Sequence, residues 1–210
     1  MTDEEYKKEF SKHSLIYLQK LWDKLCNKKE LPKGWNKGKA FEYLIIRSFE
    51  LEVEELKKAS TRFNAFVSYP YNVDYPYTGE GCNAILEQID GAINVDGYYC
   101  LIECKKYDEI PIKVEPLSKM RNMLARRHSN VFGMFFSMTD LTTPAKIQVQ
   151  FMAPQLILLW SKDDIEYCLN HGCFIDCMKW KYRNAVEKCE YFLSYKQYMQ
   201  KESPVCEALF

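Results

Sequence analysis

Between Ile89 and Lys105 the chain alternates with a period of two, broken once by Asp96-Gly97. A period of two marks a strand, and Asp-Gly between β-prone runs marks a tight turn, because both residues tolerate the positive φ of a type I′ turn. The pattern predicts a hairpin pairing Val95 with Tyr98, Asn94 with Tyr99, Ala92 with Leu101 and Asp90 with Glu103. Ile89, Gly91, Ile93, Val95, Tyr98, Cys100, Ile102 and Cys104 then form one apolar face, suited to burial under helices. Asp90, Glu103 and Lys105 fall together on the other, open face, at the end away from the turn.

Elsewhere the apolar period lengthens to that of a helix. Phe10, Leu15, Leu18, Leu21 and Leu25 predict one helix from Glu4 to Asn27, ended by Leu31-Pro32-Lys33-Gly34. A second helix, Lys39 to Lys58, packs through Phe41, Leu44, Ile45 and Phe49. Glu42 shares its stripe with Ile45, Ile46 and Phe49, so this carboxylate lies either at the core margin in a salt bridge or beside the charged end of the hairpin. A short strand from Arg62 to Ser68 leads into an ordered loop whose tyrosines, Tyr69, Tyr71, Tyr75 and Tyr77, are expected to pack locally rather than stack on bases. The proline of Ile110-Pro111-Ile112 argues for an irregular or edge segment. Glu115 to His128 reads as a helix with Leu117, Met120, Met123 and Leu124 inward. Val131–Met138 and Ile157–Trp160 read as central strands, a helix follows from about Lys162, and a last long helix runs from Asp176 to Met199. A mixed sheet with helices on both faces accounts for this order. The chain divides into an N-terminal helical extension (1–37), a core (38–175) and a C-terminal helical segment packed on it (176–210).

With 47% apolar residues, 210 residues can bury a full core. Lysine plus arginine equals aspartate plus glutamate, 29 of each, so no global field draws the protein onto nucleic acid. Any such contact falls to local basic surface, of which Lys119, Arg121, Arg126 and Arg127 form the clearest patch and are the candidate phosphate contacts. Nine cysteines without a short secreted framework, no apolar leader and no run long enough for a bilayer imply reduced thiols and a soluble cytoplasmic protein with no membrane partner. Cys168, His171, Cys173 and Cys177 crowd together, but their spacing lacks the paired knuckles of a zinc site. No nucleophile-base-orienter set and no phosphate-binding glycine loop is present, so a nucleotide cofactor is not expected, and any translocating subunit would be a separate chain.

Two carboxylates held opposite one another repel unless protonated, separated or neutralised by a cation. Asp90 and Glu103 therefore point to a metal site, against the plainer alternative of a surface salt-bridge cluster with Lys105. The arrangement Gln88-Ile89-Asp90-Gly91 followed by Leu101-Ile102-Glu103-Cys104-Lys105 resembles the signature of the PD-(D/E)XK nuclease superfamily, closest to the Mrr type, over about Gly38 to Leu169. It departs from that pattern in having Ile89 where the family name carries proline, and Glu103 where Mrr-like members often have glutamine.

The resemblance implies a three-layer α/β/α restriction-endonuclease-like fold and Mg²⁺-dependent hydrolysis of DNA phosphodiesters, with Mn²⁺ able to substitute, in restriction or defence. It implies Asp90, Glu103 and Lys105 as catalytic residues, Asp90, Glu103 and the Cys104 carbonyl as metal ligands, Glu42 as a ligand through water, and Gln88 as an orienting neighbour. A homodimer would set two sites on opposite strands, and a separate specificity or translocating subunit is compatible with the chain. The alternatives are a noncatalytic DNA-binding or protein-interaction module on the same sheet, or a nuclease acting on RNA or branched DNA.

Overall fold

The computed structural model describes residues 1–60, 63–74, 85–106, 109–151 and 156–202. Arg62, Tyr75 and Tyr77 lie outside these. The hairpin forms with the predicted register as far as Gly91: β4 (Gly91–Val95) and β5 (Tyr98–Lys105) pair Val95 with Tyr98, Asn94 with Tyr99 and Ala92 with Leu101, but the ladder ends at Gly91 with Ile102 and the expected pair of Asp90 with Glu103 lies beyond it, at a bend. Its turn needs two left-handed residues, Asp96 at φ 51° and Gly97 at φ 86°. Replacing Gly97 by valine forces a β-branched residue into that region; the expected loss is about 1–2 kcal/mol, read by urea denaturation. An unchanged midpoint would show that the turn relaxes to another type.

β1 (Ala65–Ser68) joins antiparallel to β4, while β6 (Val131–Ser137) and β7 (Ile157–Trp160) add in parallel beyond β5, giving the order β1-β4-β5-β6-β7. Alternate residues feed two cores. Ile93, Ile102, Phe136 and Trp160 face one side, under α3 (Lys37–Ala59) together with α1 (Asp3–Phe10), α2 (Leu15–Cys26), α6 (Lys162–His171), α7 (Phe174–Lys188) and α8 (Tyr195–Glu202). Leu101, Phe135, Ile157 and Leu159 face the other, under α4 (Val114–Ala125) and α5 (Thr143–Gln150). This is the three-layer α/β/α arrangement around a central mixed sheet that the sequence leads one to expect. The first core is continuous from Tyr6 in α1 to Tyr195 in α8.

Several elements differ from the sequence reading. The single helix expected from Glu4 to Asn27 is two: α1 ends at Phe10, and Ser14 turns extended (φ −83°, ψ 166°) as the N-cap of α2. Phe10 and Leu18 are both fully buried, and the polar Ser11-Lys12-His13-Ser14 between them forms the turn, with the Ser14 carbonyl accepting from the Tyr17 and Leu18 amides at the start of α2. The helix expected over Asp176–Met199 starts earlier and stops at Cys189, which is left-handed at φ 56°, before α8 restarts at Tyr195. Part of the expected tyrosine loop is a strand, β2 (Tyr71–Asp74), paired with β3 (Ile85–Ile89) in a separate ribbon. β7 is an edge strand, not a central one; helices cover both its faces, so its four buried residues carry no mark of the free edge. Ile112 bridges to Leu141, in keeping with an irregular edge segment.

The hairpin's faces need a larger correction. Ile89 packs in the second core with Leu101, opposite to Ile93, because the chain bends at Asp90 between β3 and β4 and the alternation does not run through. The face carrying Glu103 is not open: α4 covers it, and Glu103 has 0% exposure.

Candidate active site

Four elements deliver the charged groups. The bend after β3 presents Asp90, the last turn of β5 presents Glu103, Cys104 and Lys105, the first turns of α3 present Lys39 and Glu42, and α4 reaches over with Lys119. Asn36 starts α3 by accepting from the Gly38 and Lys39 amides at 2.8 and 3.1 Å, which fixes the phase of the helix and so the direction of Glu42. Gly91, next to Asp90, lies under α3; a Cβ there would meet Ile46 Cδ1 at 3.0 Å and the Ser68 carbonyl oxygen at 3.1 Å.

Asp90 is buried, and its Oδ2 accepts from the Cys104 amide at 2.9 Å. Because N–H and C=O of one strand residue point to the same edge, the Cys104 carbonyl faces the same gap, where β4 has turned away. Lys105 Nζ reaches that carbonyl at 3.4 Å. It also lies 2.5 Å from Glu103 Oε1 as an ion pair lacking hydrogen-bond alignment, with Lys119 Nζ 3.9 Å from the same oxygen. Glu103 Oε2 is buried with no hydrogen-bond partner among the described residues. Lys39 bridges Glu42 Oε2 at 2.9 Å and Asp3 Oδ1 at 3.1 Å.

The electrostatics follow from crowding acids in a poorly hydrated place. Burial first, and the Asp90 charge second, push Glu42 up to about 7 against the pull of Lys39. The same two causes raise Glu103, opposed by Lys105 and Lys119. Burial pulls Lys105 down, but Glu103 and Asp90 outweigh it and the amine ends above its ordinary value, held charged.

The structure thus brings Asp90, Glu103, the Cys104 carbonyl and Lys105 together, with Glu42 at their margin and Lys119 overhead. Gln88 is exposed on β3 opposite Asn72, lining a shallow cleft with Lys119. Arg121 is exposed on α4. Arg126 and Arg127 are engaged elsewhere: both pair with Glu87 on β3, Arg127 at 2.7 Å and Arg126 through Nε and Nη2. Lys39 was not anticipated, though its place three residues before Glu42 on one helix was the available signal.

Glu87 makes a separate prediction. Burial pushes its carboxyl up, but the two guanidinium groups prevail and hold it below its ordinary value. A depressed value in the folded state gives stability that is present above about 4.5 and lost as the pH falls through the folded value. The thermal midpoint of Glu87→Gln should therefore lie below that of the parent at pH 7, the gap narrowing at pH 3. A gap independent of pH would remove the ion pair as its cause.

Among the described residues no three His, Cys, Asp or Glu side chains converge as a metal cage. His171 is stacked on Tyr167 with Nδ1 2.8 Å from the Tyr167 carbonyl, and Cys168 Sγ lies 3.7 Å from the Cys173 carbonyl. The acidic site offers instead two carboxylates and a main-chain carbonyl, a set of hard oxygens fitting a small divalent cation that keeps several waters. The unpartnered Glu103 oxygen is the observation that makes the fit. No helix among the described residues is long and apolar enough to cross a membrane.

No protein-family model matches the chain, and no curated protein matches it. Among solved structures it is similar to the DNA modification-dependent restriction endonuclease AspBHI, at 15% identity and a TM-score of 0.36 over 74% of this chain and 35% of that one. It is also similar to the MspJI restriction endonuclease in complex with a 27-mer oligonucleotide, at 12% identity and a TM-score of 0.31 over 79% and 41%. A third likeness is to AF1548, a protein of unknown function, at 13% identity and a TM-score of 0.34 over 54% and 58%. In each case the chain spans less than two thirds of the other protein. Likenesses this slight say nothing of activity.

Proposed function

We propose that this chain is a divalent-cation-dependent nuclease that hydrolyses DNA phosphodiester bonds at Asp90, Glu103 and Lys105. The observation that carries the reading is Glu103, a wholly buried carboxylate with one oxygen left unpartnered beside a second buried acid. Burying such a pair costs several kcal/mol per ion unless something compensates it, and Lys105 and Lys119 both approach Glu103 through Oε1, which leaves Oε2 unmatched among the described residues.

Asp90 and Glu103, with the Cys104 carbonyl between them, would hold Mg²⁺ or Mn²⁺. When bound, such an ion supplies a water of lowered pKa and charge to offset the scissile phosphate. Asp90 is preorganised for this by the Cys104 amide, which donates to Oδ2 and so fixes its carboxylate. Lys105, held protonated by its acidic neighbours, would stabilise negative charge growing on the phosphate rather than accept a proton. Lys119 would approach the same phosphate from α4, and Glu42 would orient water from α3.

The Lys105–Glu103 contact at 2.5 Å favours a second reading, in which the pair is simply structural and the domain binds without cutting. Incubating the purified protein with labelled duplex, branched and single-stranded DNA and with RNA, in Mg²⁺, Mn²⁺ or chelator, separates the two. Cleavage that needs the cation and stops on chelation is expected. Binding without turnover on every substrate would establish the second reading instead.

A further inference from the structure

A cavity of about 370 Å³ opens at the carboxyl ends of β6 and β7, outside the acidic site. Its position follows from the topology. The chain leaves β6 for α5 on one face of the sheet and leaves β7 for α6 on the other, so the two connections diverge and a crevice remains between them. In open α/β sheets such a divergence is where ligands bind. The crevice is also next to the candidate active site, because Ser137 on its wall is the direct register partner of Lys105.

The lining selects the ligand. Phe192 stands at the cavity with 45% exposure, leaving ring surface for a partner to cover, and Phe135 and Leu159 extend the apolar wall. The exposed Gln197 side-chain amide adds a group able to donate and accept hydrogen bonds, while the Ser194 hydroxyl donates to Asp164 Oδ1 at 3.4 Å. A phosphate is disfavoured, since Lys146 and Lys162 are outnumbered on the wall by Asp140, Asp163 and Asp164, and Lys146 pairs with Asp140 at 2.7 Å. A flat, uncharged ring with polar edges matches this wall. The volume is that of a small-molecule site, so a base enters only after leaving its pair.

Resting on the nuclease reading, we propose that this cavity receives an unpaired nucleobase of the strand whose phosphate lies at Asp90 and Glu103, with Phe192 as the stacking platform. The consequence is a preference for single-stranded or frayed DNA over intact duplex at the cleavage point.

The test uses single-stranded oligonucleotides carrying 5-iodouracil at successive positions, irradiated with the full chain in chelator, with the adducts mapped by mass spectrometry. Crosslinking to Phe192 from one position, with binding about 5- to 100-fold weaker in Phe192→Ala and retained in Phe192→Trp, is the expected result. Gln197→Ala, exposed on α8, should weaken binding less without disturbing the fold. Cation-dependent cleavage with no adduct at Phe192 and unchanged binding in Phe192→Ala would overturn this inference while leaving the nuclease reading intact. A Phe192 adduct without cleavage of any substrate would overturn the nuclease reading and keep the base site. Absence of any oligonucleotide binding would overturn the base site outright.

Discussion

Changing Asp90 to asparagine or Glu103 to glutamine is expected to leave a folded protein that cleaves at least about a thousandfold more slowly, on the order of 4 kcal/mol of transition-state stabilisation. Each substitution keeps the shape of the side chain and removes a charge needed for the cation. Asp90→Asn retains an oxygen to accept from the Cys104 amide, so the bend should persist. Glu103→Gln removes a buried charge raised by its surroundings, so its cation-free form should melt at or above the temperature of the parent at neutral pH. Loss of cutting with a preserved melt identifies the acids as functional. Full turnover in either purified variant would sink the assignment.

Glu42 extends the same argument to pH. Its folded-state value of about 7 stands above the ordinary 4.5, so its contribution to stability is full below about 4.5 and is lost as the pH rises through about 7. In chelator the parent should lose thermal stability across that window and Glu42→Gln should lose less. Parallel melting curves would place the strain elsewhere.

The second large effect lies outside the acidic site. Asp164 and Lys181 are 1% and 5% exposed and pair at 2.9 Å, joining α6 to α7. Asp164 Oδ1 accepts from the Tyr195 amide at 2.7 Å, and Lys181 donates to the Leu193 carbonyl at 2.8 Å, so the same pair holds the segment leading into α8. Asp164→Ala leaves a buried ammonium without its partner, and the expected loss is about 3–5 kcal/mol by chemical denaturation. Removing both charges in Asp164→Leu/Lys181→Met should restore much of it. If single and double variants lose equally, packing and not charge is what the site contributes. Burial pushes Asp164 up, but Lys181 and Ser161 hold it below its ordinary value, so its contribution is present above about 3.8 and fades as the pH falls through the folded value.

The hairpin was legible because its signals are local: Asp96-Gly97 requires left-handed backbone, and once the turn is set the period of two fixes every partner up to Gly91. The layered sheet was legible from composition, as the unbroken apolar run of β6 marks a strand buried on both faces. What sequence periodicity could not convey was where an element stops. Ser14 and Cys189 interrupt helices whose apolar period continues on either side, and only the packing of Phe10 against Tyr43 and of Trp180 against Tyr195 shows why the chain turns. The site residues were readable as a motif, yet their burial was not, since covering Glu103 depends on α4, which begins eleven residues later. The pairing of Arg126 and Arg127 with Glu87 was likewise out of reach, spanning some forty positions with no periodic trace.

That clamp has a mechanical consequence. Glu87 sits on the strand that leads into the bend at Asp90, three residues before it, while Arg126 and Arg127 follow directly on the helix that bears Lys119. Ribbon and helix are thereby tied by one cluster of ion pairs, so the placing of Asp90 beyond the ribbon and of Lys119 on the helix depends on a shared contact.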